Sequence, residues 1–198
     1  MSTPKNVFGE PVTEGSRLER ARNALNNPNE GGKHDAALAF IRDAKKESGD
    51  GVSTLCIFYN ASGVSLLFAQ QDSSYGKFYT SVPDRVQNGQ WGAFLHTKKS
   101  AEASGSVGLV VYRFRLNDAD HAKLFFSWET PWGLYKNKAY CDVVDDNANI
   151  NPSDIYGKMY EKDAKQYSVT KDGMYANAKI EYGTSPLYEA KLTMEDAA

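Results

Sequence analysis

Along the first fifty positions the apolar residues recur every three or four, and from Val52 onward they come in short dense or alternating runs. The spacing of Ala37, Leu38, Ile41 and Ala44 in DAALAFIRDAKKES predicts an amphipathic helix. Asp35 caps it, Lys45 and Lys46 complement its last turn, and Gly49 ends it. An earlier helix is predicted from Ser16 to Leu25, where Ser16 and Glu19 form a capping box and Asn26, Asn27 and Pro28 stop the chain.

The later runs read as strands. VSTLCIFYN and VSLLFAQQ flank the turn residues Asn60 to Gly63 and predict a hairpin. KFYTSVP, WGAFLHT, SVGLVVYRFRL, AKLFFSWETP, KAYCDVVDD, GMYANAKIEY and PLYEAKLTM follow, separated by loops. A short helix, IYGKMYEKDAK, interrupts them, capped by Ser153 or Asp154. Strands at this spacing predict a sandwich or barrel. The expectation is one mainly β domain over residues 1–198, a β-sandwich of about ten strands flanked by two helices. Residues 1–50 form an N-terminal extension with one flanking helix, and 51–198 form the sandwich with the second helix near 154–164.

Composition narrows the function classes. Among 198 residues, 41% are hydrophobic and 24% charged, which excludes a disordered chain. No apolar run reaches the roughly 18 residues of a membrane span. The net charge of -2 lacks the basic excess of a nucleic-acid binder. The start, MSTPKNVFGEPVTEG, has no apolar signal core, so a cytosolic location or non-classical export is expected, peripheral on membranes when lipid is bound.

The residues offer little for catalysis. His34, His96 and His121 show no metal-ligand spacing, and neither a G-x-S-x-G elbow nor a phosphate-binding loop occurs. Asp142, Asp145 and Asp146 lack the spaced oxygens and turn glycine of a calcium loop. Neither enzyme activity nor a metal or cofactor is expected. Cys56 and Cys141 read as two buried thiols, with one disulfide as the alternative.

The aromatics change the picture. Twelve Tyr, nine Phe and three Trp make 12% of the chain. Trp128, Pro131, Trp132 and Tyr135 crowd one short Pro/Gly loop, Tyr156 and Tyr160 share a helix face, and Tyr75 lies in DSSYG. Such phenols can surround a quaternary ammonium by cation–π attraction and donate hydrogen bonds to a phosphate, which together describe a phosphocholine site. The alternative is that Tyr156 and Tyr160 pack their helix on the sheet. Trp128, alternating with Phe126, then lies in the core, on the face opposite Phe125.

Three stretches resemble the actinoporins, the sphingomyelin-binding cytolysins of sea anemones. They are VPDRVQNGQWGAFLHTKKSAEASGSVGLVVYRF, LFFSWETPWGLYKNKAYCDVV and DIYGKMYEKDA, in order, between about Val52 and Met194. NGQWGAFLH with SGSVGLVVYR also resembles the plant jasmonate-induced proteins, and more narrowly the fungal raft-binding nakanori-like group. The resemblance implies a β-sandwich with a headgroup site at one end. By position it implies that Tyr135, Tyr156, Tyr160, Pro131 and a serine at Ser73 or Ser74 hold phosphocholine. Glu129 stands where the family has a serine, able to attract choline and to repel phosphate. Trp132, with Tyr75 and Trp128, would meet the membrane interface. Lys138-Ala139 replaces the family's exposed tryptophan pair.

The expected partner is therefore sphingomyelin or another choline-headgroup lipid, with cholesterol implied by the resemblance alone. The N-terminal helices are charged and short, so surface binding without pores is expected. A pore-forming cytolysin and a carbohydrate-binding lectin are the rival readings.

Overall fold

The computed structural model describes residues 6–133 and 135–197. In chain order the elements are β1 (Val7–Phe8), α1 (Arg17–Asn26), α2 (Lys33–Ser48), β2 (Ser53–Ala61), β3 (Leu66–Tyr75) and β4 (Lys77–Phe78). Next come β5 (Arg85–Val86), β6 (Trp91–Thr97), β7 (Ser106–Arg115), β8 (His121–Thr130) and β9 (Lys138–Asp145). α3 (Pro152–Lys162), β10 (Gln166–Lys171), β11 (Met174–Ile180) and β12 (Leu187–Met194) complete the chain.

The strands form two sheets. One has the order β1-β6-β2-β12-β11-β10, with β4 also on β6, and the other β5-β3-β7-β8-β9. Every pairing is antiparallel except β2 with β12. Phe58, Phe94, Tyr112, Phe126, Trp128 and Tyr188 fill the space between the sheets. Helices cover both outer faces. Ala37, Ile41 and Ala44 of α2 seat on Leu55, Ile57, Ala93 and Leu95 of the larger sheet. Ile155, Tyr156 and Met159 of α3 seat on Val107, Leu109 and Phe125 of the smaller. β2 is therefore buried along its whole length, which explains its unbroken apolar run.

The mainly β sandwich is as expected, with twelve strands and three α-helices among the described residues rather than about ten and two. The third helix is α1, expected over Ser16 to Leu25 but not counted among the two flanking helices, and its capping box is present as Ser16 and Glu19 imply. The extension is not an appendage either, since Val7 and Phe8 pair with Gly92 and Trp91. α2 begins after Gly32 rather than at an Asp35 cap. α3 is capped by Asn151 with Pro152 in its first turn, rather than by Ser153 or Asp154.

The predicted hairpin across Asn60–Gly63 does not form. β2 and β3 belong to different sheets, and the turn between them carries the chain across the sandwich. Asn60 fixes this crossing by donating to Val64 O at 2.7 Å and Val86 O at 2.8 Å. β10 had no counterpart in the sequence reading; it pairs with β11 through a turn in which Asp172 and Gly173 both take positive φ. Both cysteines are buried free thiols, and burial raises the pKa of each.

Candidate functional site

A β-bulge builds one side of the site. β3 slips against β7 once at Phe68/Gln70, runs in register from Gln70↔Val111 to Ser73↔Gly108, then slips again so that Tyr75, not Ser74, opposes Val107. Val107 faces α3, so the slip turns the Tyr75 ring onto that outer face. The same row continues as Val107↔Glu129 and Glu129↔Lys138. Tyr75, Glu129 and Lys138 thus lie across the end of the smaller sheet, beside Tyr160 of α3.

This row carries a compact pair of charges. Lys138 Nζ lies 2.7 Å from Glu129 Oε2 and 3.6 Å from Asp163 Oδ1. It also sits 5.8 Å from the centroid of the Tyr160 ring. Burial first, then the Glu129 charge and Tyr75, push the Tyr160 phenol up to about 12. The two departures from the actinoporin pattern, Glu129 and Lys138, are thus one cross-strand ion pair.

Three expected site residues lie elsewhere. Trp128 is fully buried and is corrected from interface to core; Phe126, Trp128 and Thr130 alternate inward, and Gly108 directly opposite leaves room for the indole. Its Nε1 has no hydrogen-bond partner among the described residues. Tyr156 is only 6% exposed. Its hydroxyl donates to Asp72 Oδ2 at 2.8 Å, and burial raises its pKa, so it anchors α3 on the sheet. Ser73 turns inward, hydrogen-bonded to His96 Nε2 at 2.9 Å. His96 Nδ1 in turn meets Ser106 Oγ at 2.8 Å, and Thr54 links Ser106 to Thr130. Burial pushes His96 down to about 3, so the ring is neutral within this chain of hydroxyls. Ser74 remains exposed beside Tyr75, and Pro131 is half-buried against Gly105.

The remaining predicted residues gather at one end. Trp132 is 51% and Tyr135 77% exposed, on the segment after β8. Asn137 ties this segment to the β11–β12 turn, donating to Glu181 O at 2.7 Å and Gly183 O at 3.0 Å. That turn presents Tyr182, 76% exposed, with Lys165 Nζ 3.1 Å from its ring centroid. Lys98 Nζ lies 5.7 Å from the Trp132 ring. Tyr79, following β4 on β6, completes the rim. Of the seven large apolar side chains exposed among the described residues, six are these aromatics at one end; the seventh, Leu67, is at the other.

The sequence reading missed Tyr79, Tyr182, Lys98 and Lys138. Tyr182 carried a signal, a tyrosine inside the turn EYGTSP. Lys138 was legible only through the β8–β9 register, which pairs it with Glu129. No cluster of metal-ligating side chains occurs among the described residues.

The comparisons agree with this architecture. Residues 4–195 match the family described as Nakanori-like protein. The "23 kDa jasmonate-induced protein" of Hordeum vulgare is 32% identical over 183 residues, 90% of this chain and 85% of that protein. The crystal structure of the lipid binding protein Nakanori superposes with a TM-score of 0.86 at 22% identity, covering 94% of this chain and 99% of that one. The shared architecture includes both sheets and the helices flanking them. The chain belongs to the Nakanori-like protein family.

Proposed function

We propose that this protein is a non-enzymatic lipid-binding module. Its aromatic end docks on membranes and takes the phosphocholine headgroup of sphingomyelin, in bilayers that also contain cholesterol, without forming pores. The observation that carries the reading is the confinement of six exposed aromatic side chains to one end. Lysines lie against three of them, Trp132, Tyr160 and Tyr182. Tyrosine and tryptophan settle at the headgroup level of a bilayer, apolar body inward and polar tip in water. The lipid-binding relative of the same fold and family adds support.

The headgroup is matched by charge. Glu129 and Lys138 form an internal pair of opposite charges beside Tyr160 and Tyr75. Phosphocholine is itself such a pair. Its ammonium takes the place of the Lys138 ammonium against Glu129 and Tyr160, and Lys138 turns to the phosphate. The exchange conserves charge, so binding changes little with salt. Glu129→Gln removes the counter-charge for choline and leaves Lys138 with only the longer contact to Asp163. We expect about tenfold weaker binding to sphingomyelin vesicles and stronger binding to phosphatidylserine vesicles. Equal loss on both vesicles would refute the exchange.

The absence of pores rests on the N-terminal helices. α1 has 10 residues and α2 has 16. At 1.5 Å per residue they reach about 15 and 24 Å, short of the roughly 30 Å of hydrocarbon. Both are also fastened: α1 by Arg17 and Arg20 to the β2–β3 turn, α2 by its buried alanines and Ile41.

The deciding experiment is sedimentation with dye-loaded vesicles of phosphatidylcholine, of sphingomyelin, and of sphingomyelin with cholesterol. Binding to the last without dye release is expected. Leakage moves the answer to a pore-former. No binding to any vesicle removes the lipid reading and puts a carbohydrate ligand first.

A further inference from the structure

At the end of the sandwich opposite the aromatic rim lies a cleft of about 410 Å³. It opens between the segment Pro11–Thr13, the β2–β3 turn and the outer ends of β7 and β8. Val12, Val64 and Leu67 give it an apolar wall. Leu67, 39% exposed, is the one large aliphatic side chain exposed among the described residues, and it faces this cleft.

The ionisable side chains of the lining are all basic. Arg20, Arg113, Arg115 and His121 line the cleft and no carboxylate does, in a chain whose acidic groups outnumber its basic ones by 25 to 23. Two of these charges are matched: Arg113 holds Asp146 through two bonds of 2.6 and 2.7 Å, and Arg115 holds Asp118 at 2.9 Å. Arg20 is not matched. Its Nε and Nη2 donate to Gly63 O at 3.1 and 2.9 Å and its Nη1 to Gly15 O at 2.6 Å, all main-chain oxygens. Arg17, one turn earlier on the same face of α1, donates to Ser62 O and Leu116 O. Neither makes an ion pair among the described residues. Burial, then the neighbouring charges of Arg20 and Arg115, lower the pKa of Arg17.

Carbonyl oxygens orient these guanidinium groups without cancelling their charge. Arg20 bonds through three N–H groups and retains two more. A preorientated guanidinium beside an apolar wall is the arrangement that reads a carboxylate or phosphate attached to a hydrocarbon body. The volume lies within the range of small-molecule sites.

We propose that this cleft is a second binding site, for a small amphipathic oxyanion: a carboxylate or phosphate monoester whose head meets Arg20 and whose apolar body lies on Leu67, Val12 and Val64. It is independent of the lipid-headgroup reading, being built from other residues at the far end.

Titrations of the full chain with octanoate and with octyl phosphate, followed by amide NMR shifts, test it. Saturable shifts at Val12, Gly63 and Leu67 are expected with at least one of the two. Octan-1-ol, of similar shape without the charge, should bind at least tenfold more weakly. Arg20→Gln should weaken binding at least tenfold. Because Arg20 also holds the β2–β3 turn, Leu67→Glu serves as the second variant; it places a carboxylate at the exposed wall and should abolish binding while vesicle sedimentation is unchanged. The proposal is overturned if neither anion saturates, if octanol binds as well, if the shifts map elsewhere, or if Leu67→Glu binds normally.

Discussion

Trp132→Ala will lose most of its binding to sphingomyelin–cholesterol vesicles while melting at the wild-type temperature. About half of the Trp132 side chain faces solvent. A tryptophan offers up to about 250 Å², so roughly 125 Å² remains to be buried in the bilayer. At about 25 cal/mol per Å² that is near 3 kcal/mol, or about a hundredfold in partition at the upper end. Tyr135 is more exposed but carries its hydroxyl into the headgroup layer, so Tyr135→Ala should cost about tenfold. Neither ring contributes to a buried cluster, and stability should stay within about 0.5 kcal/mol, as for ordinary surface changes. Sedimentation across a lipid series and a thermal melt read both quantities. If both variants bind as well as the wild type, the membrane-facing end has been wrongly assigned.

Gly108→Val should produce the largest loss of stability. A Cβ at Gly108 would lie 2.4 Å from Cζ2 of Trp128. The indole cannot withdraw, because Phe94, His96 and Tyr188 surround it with ring centroids at 5.5, 5.3 and 5.9 Å. Overpacking of this kind costs about 3 kcal/mol or more, and at 2–4 °C per kcal/mol for a chain of this size the melting midpoint should fall by roughly 10 °C. Gly157 is the contrast: it lies inside α3 with nothing within 4 Å of an added Cβ. Gly157→Ala should be neutral or stabilise by up to about 1 kcal/mol. Circular dichroism melts of the two variants compare them. A Gly108→Val midpoint within 2 °C of wild type would mean that the β7–β8 contact is looser than described.

How far the sequence could be read depended on whether the cause was local. Ser16 and Glu19 bond within one turn, so the start of α1 was legible from four letters. The alternation of Phe126 and Trp128 gave the strand and offered the core for Trp128 beside the interface; its burial decides for the core. β10 was missed although QYSVTK alternates and Asp172-Gly173 is a strong hairpin turn; the helix pattern just before it drew the boundary too late. The β2–β3 hairpin failed for a non-local reason, since partners more than thirty residues away compete for both strands. In the candidate site, the exposed loop aromatics were legible because a Pro/Gly loop cannot bury several rings. The inward turn of Ser73, the outward turn of Tyr75 and the pairing of Glu129 with Lys138 follow from a bulge and a register. Neither of these leaves a mark in any single segment.

The parallel pairing of β12 with β2 reaches beyond the finished fold to the order in which it can be made. β12, the last strand, lies at the middle of the larger sheet, with Leu187 beside Leu55 and Thr193 beside Ala61. During synthesis β2 emerges before β12 and waits, apolar on both faces, while more than a hundred further residues are added. Until β12 arrives, one edge of β2 is an unpaired, water-averse template of the kind that recruits other chains. Closure across such a distance is slow compared with helix formation, so α1 and α2 can form first and shelter the outer face of β2. The N-terminal helices thereby act as a built-in guard for the nascent chain, and the final strand is the bolt that commits the molecule to its fold.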